Sequence, residues 1–164
     1  MILKATEDIK KDVLKLFIER WNTDFMVSRG KVHYVADLES LVLIEENRIV
    51  GLLTYTMENK EIEIVSLDSF NEGHGIGSAL LEGVKEVFLH SDCQRLWLVT
   101  TNDNLRALRF YQKRQFTITD IHLNAVDHAR KIKPSIPLTG YDNIPIQHEI
   151  ELSYFKHTSF SKSR

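Results

Sequence analysis

Apolar and polar positions along this chain switch repeatedly between a helical and a strand period. Ile9, Val13, Leu16 and Phe17 recur at helical spacing behind Thr6, a helix-capping residue type. They predict a helix to about Arg20, after a short strand over 1–5. Residues 21–39 have no clean period and contain Arg29-Gly30, and they read as a helix fragment and a loop. Two strand patterns follow at 41–45 and 48–57, separated by the hairpin signal Glu46-Asn47. A turn at Glu58-Asn59-Lys60 leads into a further strand, 61–68. Its alternation slips, with Ile62 and Ile64 in one phase and Val65 and Leu67 in the other. One inserted residue, a bulge, accounts for such a slip, and bulges often sit beside active sites.

Beyond residue 70 the helical period returns. Ile76, Leu80, Val84 and Val87 predict a helix over about 75–90. Residues 96–99 are continuously apolar and short, which fits a buried strand. Leu105, Leu108 and Tyr111 mark a helix over 104–114, capped by Asn102, Asp103 or Asn104. A strand at 116–123 and a short helix at 125–131 come next. A loop punctuated by Pro134, Pro137, Gly140 and Pro145 then precedes the last strand, 149–154. The order gives an α/β (α+β) class, with one domain over 1–155. The Ser-, Lys- and Arg-rich stretch 156–164 reads as a flexible tail.

Composition narrows the functional classes. A chain of 164 residues suits one sizeable core. A net charge of -2 lacks the basic bias of a nucleic-acid binder. The one cysteine, Cys93, excludes an intramolecular disulfide, and beside apolar sequence it reads as a buried, inert thiol. The N-terminal MILKATEDIKK turns charged too early for a secretory segment, and no apolar run approaches the ~18 residues of a membrane span. A cytoplasmic protein without membrane partners is expected. None of the seven histidines shows metal-ligand spacing, so no metal is expected.

The chemistry concentrates in FNEGHGIGSALLEGV, residues 70–84, where Gly73, Gly75 and Gly77 alternate ahead of an apolar helical run. Such a turn presents free backbone N–H groups to an anion, and the helix dipole adds positive potential. A nucleotide P-loop requires Lys after its last glycine, and none is present. A dinucleotide fingerprint needs Gly or Ala where Leu80 or Ser78 stands.

The remaining pattern, x-x-Gly-x-Gly opening a helix after a long strand, resembles motif A of the GCN5-related N-acetyltransferases. The resemblance continues in NLRALRFYQKRQF, residues 104–116, with Asn104 and Tyr111 at that family's spacing, and it covers about 1–154. It implies a mixed twisted sheet of six or seven strands with about four helices, splayed between the fourth and fifth strands. The donor implied is acetyl-CoA. Backbone groups of His74, Gly75, Ile76, Gly77 and Ser78 would hold its pyrophosphate. Its pantetheine arm would pair with backbone near Leu67 and Ser69, and an N–H near Leu67 would polarise the thioester. Asn104 would bond the arm, besides capping its helix, and Tyr111 would protonate the departing thiolate. A carboxylate on the preceding strand is the implied base: Glu63 first, Glu61 in reserve, with Asp68 as an orienter of water. His122 is a further residue able to reach the site. Two departures stand out. Glu72 occupies a position where the family has Gln or Arg, so it must point away or meet a cation. Gln115 replaces a glycine ahead of Phe116.

The acceptor side falls to 21–39 and 125–148. Arg29, Arg130, Lys131 and Lys133 there favour an acceptor with a carboxylate or phosphate. The run Lys133-Pro134-Ser135-Ile136-Pro137 is similar to one in a subgroup of bacterial acetyltransferases. The expected reaction is acetyl transfer to a primary amine of a small molecule. A protein or peptide acceptor, a non-catalytic CoA-binding module and a homodimer stay open.

Overall fold

The computed structural model describes residues 1–156, so the tail expected at 156–164 lies, apart from Lys156, outside the described residues. The chain runs β1 (Ile2–Lys4), α1 (Glu7–Trp21), β2 (Phe25–Ser28), β3 (Lys31–Tyr34), a 3-10 turn (Val35–Asp37), β4 (Glu39–Glu45), β5 (Arg48–Glu58) and β6 (Glu61–Ser69). It continues through α2 (Ile76–Leu89), β7 (Arg95–Thr101), α3 (Leu105–Gln112), β8 (Thr117–His122), α4 (Ala125–Ile132), a second 3-10 turn (Tyr141–Asn143) and β9 (Glu149–Phe155). Thr6 caps α1 as its residue type requires, with its side chain accepting from the Ile9 N–H.

Seven strands form one mixed sheet in the order β1-β4-β5-β6-β7-β9-β8. Successive residues of β5 face opposite sides of it. Leu53 packs with Ile76, Leu80, Leu81, Val84 and Phe88 of α2, whereas Leu52 packs with Val13 and Phe17 of α1. The meander β4-β5-β6 closes through two tight turns, where Glu46 and Asn47, then Asn59 and Lys60, adopt positive φ. Consecutive left-handed residues match the twist of antiparallel strands.

The same turn chemistry corrects the reading of 21–39. Beyond the end of α1 this segment holds the antiparallel hairpin β2-β3 and one 3-10 turn, not a helix fragment and loop. Arg29 and Gly30, at φ 51° and 71°, form its turn. Four-residue strands are too short to declare a period.

Two irregularities of β6 shape the site. Thr54 pairs with Ser66 but Tyr55 pairs with Ile64, so Val65 is the extra residue of the expected bulge. The insertion returns Leu67 to the core that holds Ile62 and Ile64. The parallel pairing of β6 with β7 is confined to Glu61–Arg95, Ile62–Leu96 and Glu63–Trp97. Beyond Glu63 the two strands diverge. This is the splay expected between the fourth and fifth strands; the unforeseen hairpin makes them the sixth and seventh.

Candidate functional site

Gly51 lets α2 approach the sheet. A Cβ there would overlap Ile76 Cγ2 and lie 2.9 Å from Leu80 Cδ1. Gly51 also pairs with Ser69, so the start of α2 sits beside the end of β6. Gly75 caps the helix in the left-handed region at φ 68°, and Gly73 stands at φ 83°. A Cβ on either would meet no heavy atom within 4 Å, so the turn faces open space. The first-turn N–H groups of α2 lack intrahelical acceptors, and the helix end is electropositive. Such a cradle fits a phosphate group.

The cradle opens into a cavity of about 370 Å³. Leu67, Asp68 and Ser69 of β6 line one side, and Gly75, Ile76, Gly77 and Ser78 line another. Asn104 and Tyr111 complete it from α3. Every residue expected to contact the cofactor except His74 therefore lines this cavity; His74 is exposed and lies off it, where Gly73 and Glu72 stand instead. The edge of β6 that has left β7 offers unpaired backbone to an extended arm.

Asn104 accepts from the Ala107 N–H at 3.1 Å and so caps α3 while facing the cavity. The Tyr111 ring is held edge-on by Phe110 and Phe116, with centroids 5.1 and 5.4 Å away. Burial, then the charge of Asp68, pushes its phenol well above the ordinary tyrosine value, so it keeps its proton. Burial pushes Asp68 itself up to about 6, against the opposing charge of Arg20.

Glu72 meets a cation: Arg106 Nη1 lies 3.8 Å from its Oε1, and both line the cavity. Arg114 donates to Ser78 Oγ through Nε and Nη2, at 3.2 and 2.7 Å, which brings a guanidinium to the first turn of α2. Sequence reasoning missed both arginines. The isolated charge of Glu72 was the available signal for Arg106; no sequence signal pointed to Arg114. Gln115 holds φ 73°, the left-handed conformation that the absent glycine would adopt without strain.

Glu63 occupies the other face. It is only 7% exposed, on a strand stretch that pattern alone would leave solvated. Ser28 Oγ donates to its Oε1 at 2.5 Å, and His33 Nε2 lies 3.6 Å from its Oε2. Burial pushes Glu63 up to about 7, offset by the Ser28 hydrogen bond and reinforced by Glu149 and Glu151. A recess of about 110 Å³ adjoins it, walled by Thr56, Glu58, Glu61 and Trp97. Ser28 and His33 went unseen because their hairpin did. The Arg29-Gly30 turn between two short runs was the signal.

Glu61 is not a free reserve. Arg95 holds it through Nε and Nη2 at 3.1 and 2.9 Å, and reaches Glu151 at 2.8 Å. His122 Nε2 lies 3.2 Å from Glu151 Oε1, within the same network. The cations expected to greet an anionic acceptor are also engaged. Arg29 pairs with Glu149, and Lys133 donates to the Phe25 carbonyl. Arg130 pairs with Asp127 and donates to the carbonyls of Ile136, Pro137 and Ile146. Of the four, Lys131 is exposed and makes no hydrogen bond or ion pair among the described residues. The long loop is thereby pinned, and Asn102 and Asp103 pin it further: Asn102 Oδ1 accepts from Gln147 and His148, and Asp103 Oδ2 accepts from Tyr141 N–H.

Among the described residues no cluster of His, Cys, Asp or Glu is arranged to hold a metal ion. No helix among them is long and apolar enough to cross a membrane.

Comparison with known proteins matches residues 6–116 to the Acetyltransferase (GNAT) family. The chain is 40% identical over 155 residues to the uncharacterized protein YdhI of Bacillus subtilis (strain 168), covering 93% of this chain and 97% of that one. Its fold is similar to the IAA acetyltransferase from Bacillus cereus ATCC 14579, with a TM-score of 0.73, 19% identity, and coverage of 95% of this chain and 99% of that one. It is also similar to a GNAT family acetyltransferase from Elizabethkingia anophelis with acetyl-CoA bound, with a TM-score of 0.67, 23% identity, and coverage of 95% and 97%.

Proposed function

The chain belongs to the Acetyltransferase (GNAT) family, and on that premise we propose that it moves an acetyl group from acetyl-CoA directly to a primary amine of a small molecule. One observation carries this reading. A single cavity joins the start of α2, the free edge of β6 and the Tyr111 phenol, while Glu63 stands four residues before Leu67 on the same strand.

Acetyl-CoA supplies an activated acyl thioester. The glycine turn and the first N–H groups of α2 bind its pyrophosphate, with Arg106 and Arg114 adding positive potential. Backbone around Leu67 to Ser69 aligns the extended arm and turns an N–H toward the acyl oxygen. Glu63 removes the proton from the acceptor ammonium, a role suited to a carboxyl tuned near the working pH. Tyr111, held protonated, returns a proton to the thiolate.

The small acceptor is supported by the cover over this face. The β2-β3 hairpin closes on Glu63, and the 133–148 loop is tied down by Asn102, Asp103 and Arg130. A recess of about 110 Å³ next to Glu63 suits a slim aminoalkyl end.

Calorimetric titration with acetyl-CoA tests the reading, repeated on Gly75→Glu. Micromolar binding by the wild type, lost in the variant, is expected. A thiol-release screen over small amines and short peptides then reads the acceptor. A folded wild type that fails to bind acetyl-CoA overturns the proposal; turnover of peptides alone overturns its small-molecule part.

A further inference from the structure

Glu63 turns both carboxylate oxygens toward one hairpin. Ser28, the last residue of β2, donates to Oε1 at 2.5 Å. His33, on β3, places Nε2 3.6 Å from Oε2. That nitrogen is buried and finds no hydrogen-bond partner among the described residues, and the side chain is 4% exposed. A buried ring nitrogen without a partner calls for an explanation. Here it faces an ionisable carboxyl just beyond hydrogen-bond length, so a small side-chain movement joins them.

We propose that His33 is the positioning residue of Glu63, and that the two side chains hold one proton between them during acyl transfer. The inference rests on the reading of Glu63 as the base. In the first step an N–H bond of the acceptor ammonium breaks and an O–H bond forms on Glu63 Oε2, leaving a neutral amine. That O–H then donates to Nε2 of neutral His33, in the tautomer that carries its proton on Nδ1. Full transfer breaks the O–H bond, forms Nε2–H and restores the carboxylate beside an imidazolium. The net charge of the pair is the same in either arrangement. Ser28 holds the other oxygen, so Oε2 stays aimed at the ring.

The surroundings favour sharing. Burial, then Lys31 on β3, holds His33 below its ordinary value, while Glu58 on β5 opposes that. Burial raises Glu63, aided by Glu149 and Glu151 on β9 and opposed by Ser28 and Lys31. A lowered base and a raised acid are brought toward a common range, where they titrate as a pair.

The test is an NMR titration of the whole chain, following the Glu63 carboxyl carbon and His33 Cε1 in the wild type, Glu63→Gln, His33→Gln and His33→Asn. In the wild type both signals should follow the same two midpoints, about one pH unit or more apart. Removing either partner should leave the other with a single midpoint. Signals with unrelated midpoints, unmoved by the partner's substitution, overturn the proposal. His33→Gln keeps a polar group of similar reach, so it and Glu63→Gln decide the matter if His33→Asn fails to fold. The titration needs no acceptor and stands apart from the reading beneath it. Undiminished thiol release by Glu63→Gln overturns the base assignment, and with it any catalytic use of the pair.

Discussion

Gly51 on β5 and Ile76 at the start of α2 touch so closely that no side chain fits on residue 51. The contact fixes where the N-terminus of α2 meets the sheet, and hence where the glycine turn opens. Gly51→Ala must push the helix back or strain β5. The expected cost is about 1–3 kcal/mol of stability, as for other overpacked cores. Acetyl-CoA affinity should fall with it, although residue 51 lies outside the cavity. Denaturant melts alongside calorimetry check both, and unchanged affinity would show that the helix position is set elsewhere.

Glu63 gives two linked pH effects. Its value in the fold, about 7, lies above the ordinary carboxylate value of 4.5. The folded state therefore holds the proton more tightly than the unfolded chain. The stability this confers is present below pH 4.5 and is lost as pH rises through 7. Glu63→Gln should melt higher than the wild type at pH 8 and nearly level with it at pH 5. With Glu63 as the proposed base, catalysis should run the opposite way, because that base must be ionised. The kcat/KM profile should climb about tenfold per pH unit below 7 and level above it. In Glu63→Gln that limb should vanish and the rate should drop by about a hundredfold or more.

Tyr111 is buried at the cavity wall and stays protonated throughout the working range. Tyr111→Phe keeps the ring contacts with Phe110 and Phe116. Its thermal midpoint should change little, while kcat falls by about a hundredfold or more if the phenol protonates the thiolate. Stopped-flow thiol release with saturating acetyl-CoA measures this, and an unaltered kcat would reduce Tyr111 to a core aromatic.

Gly140 leaves room for Asp103, whose Oδ2 occupies the space a Cβ would need. That carboxylate also accepts from the Thr101 hydroxyl and the Tyr141 N–H. Gly140→Ala should unpin the 133–148 loop. Limited proteolysis should then cut there first, with KM for the acceptor rising while acetyl-CoA affinity holds. Equal protease resistance in variant and wild type would contradict the pinning role of Asp103.

Local pattern and spacing in the sequence determined the meander, α1 to α4 and the Val65 insertion, and the motif resemblance pointed to the residues that line the larger cavity. The physical reason is that these depend on near neighbours in the chain. Periodicity needs only one turn or two, a cap needs three residues, and a bulge leaves its phase slip in a single strand. Asn104 caps the short helix that carries Tyr111, so their spacing carried their joint placement on the cavity. The tertiary structure alone decided the surroundings of Glu63. Glu63 is buried only because Ser28 and His33 arrive on a hairpin about thirty residues away. Glu61 is held in an ion pair because Arg95 comes alongside in the neighbouring parallel strand. Arg29, Arg130 and Lys133 read as free cations until the fold supplied their carboxylates and carbonyls. A charge in a sequence seldom names its partner, because burial and many pairings, such as Arg29 with Glu149 and Lys133 with the Phe25 carbonyl, are set by contacts between distant segments.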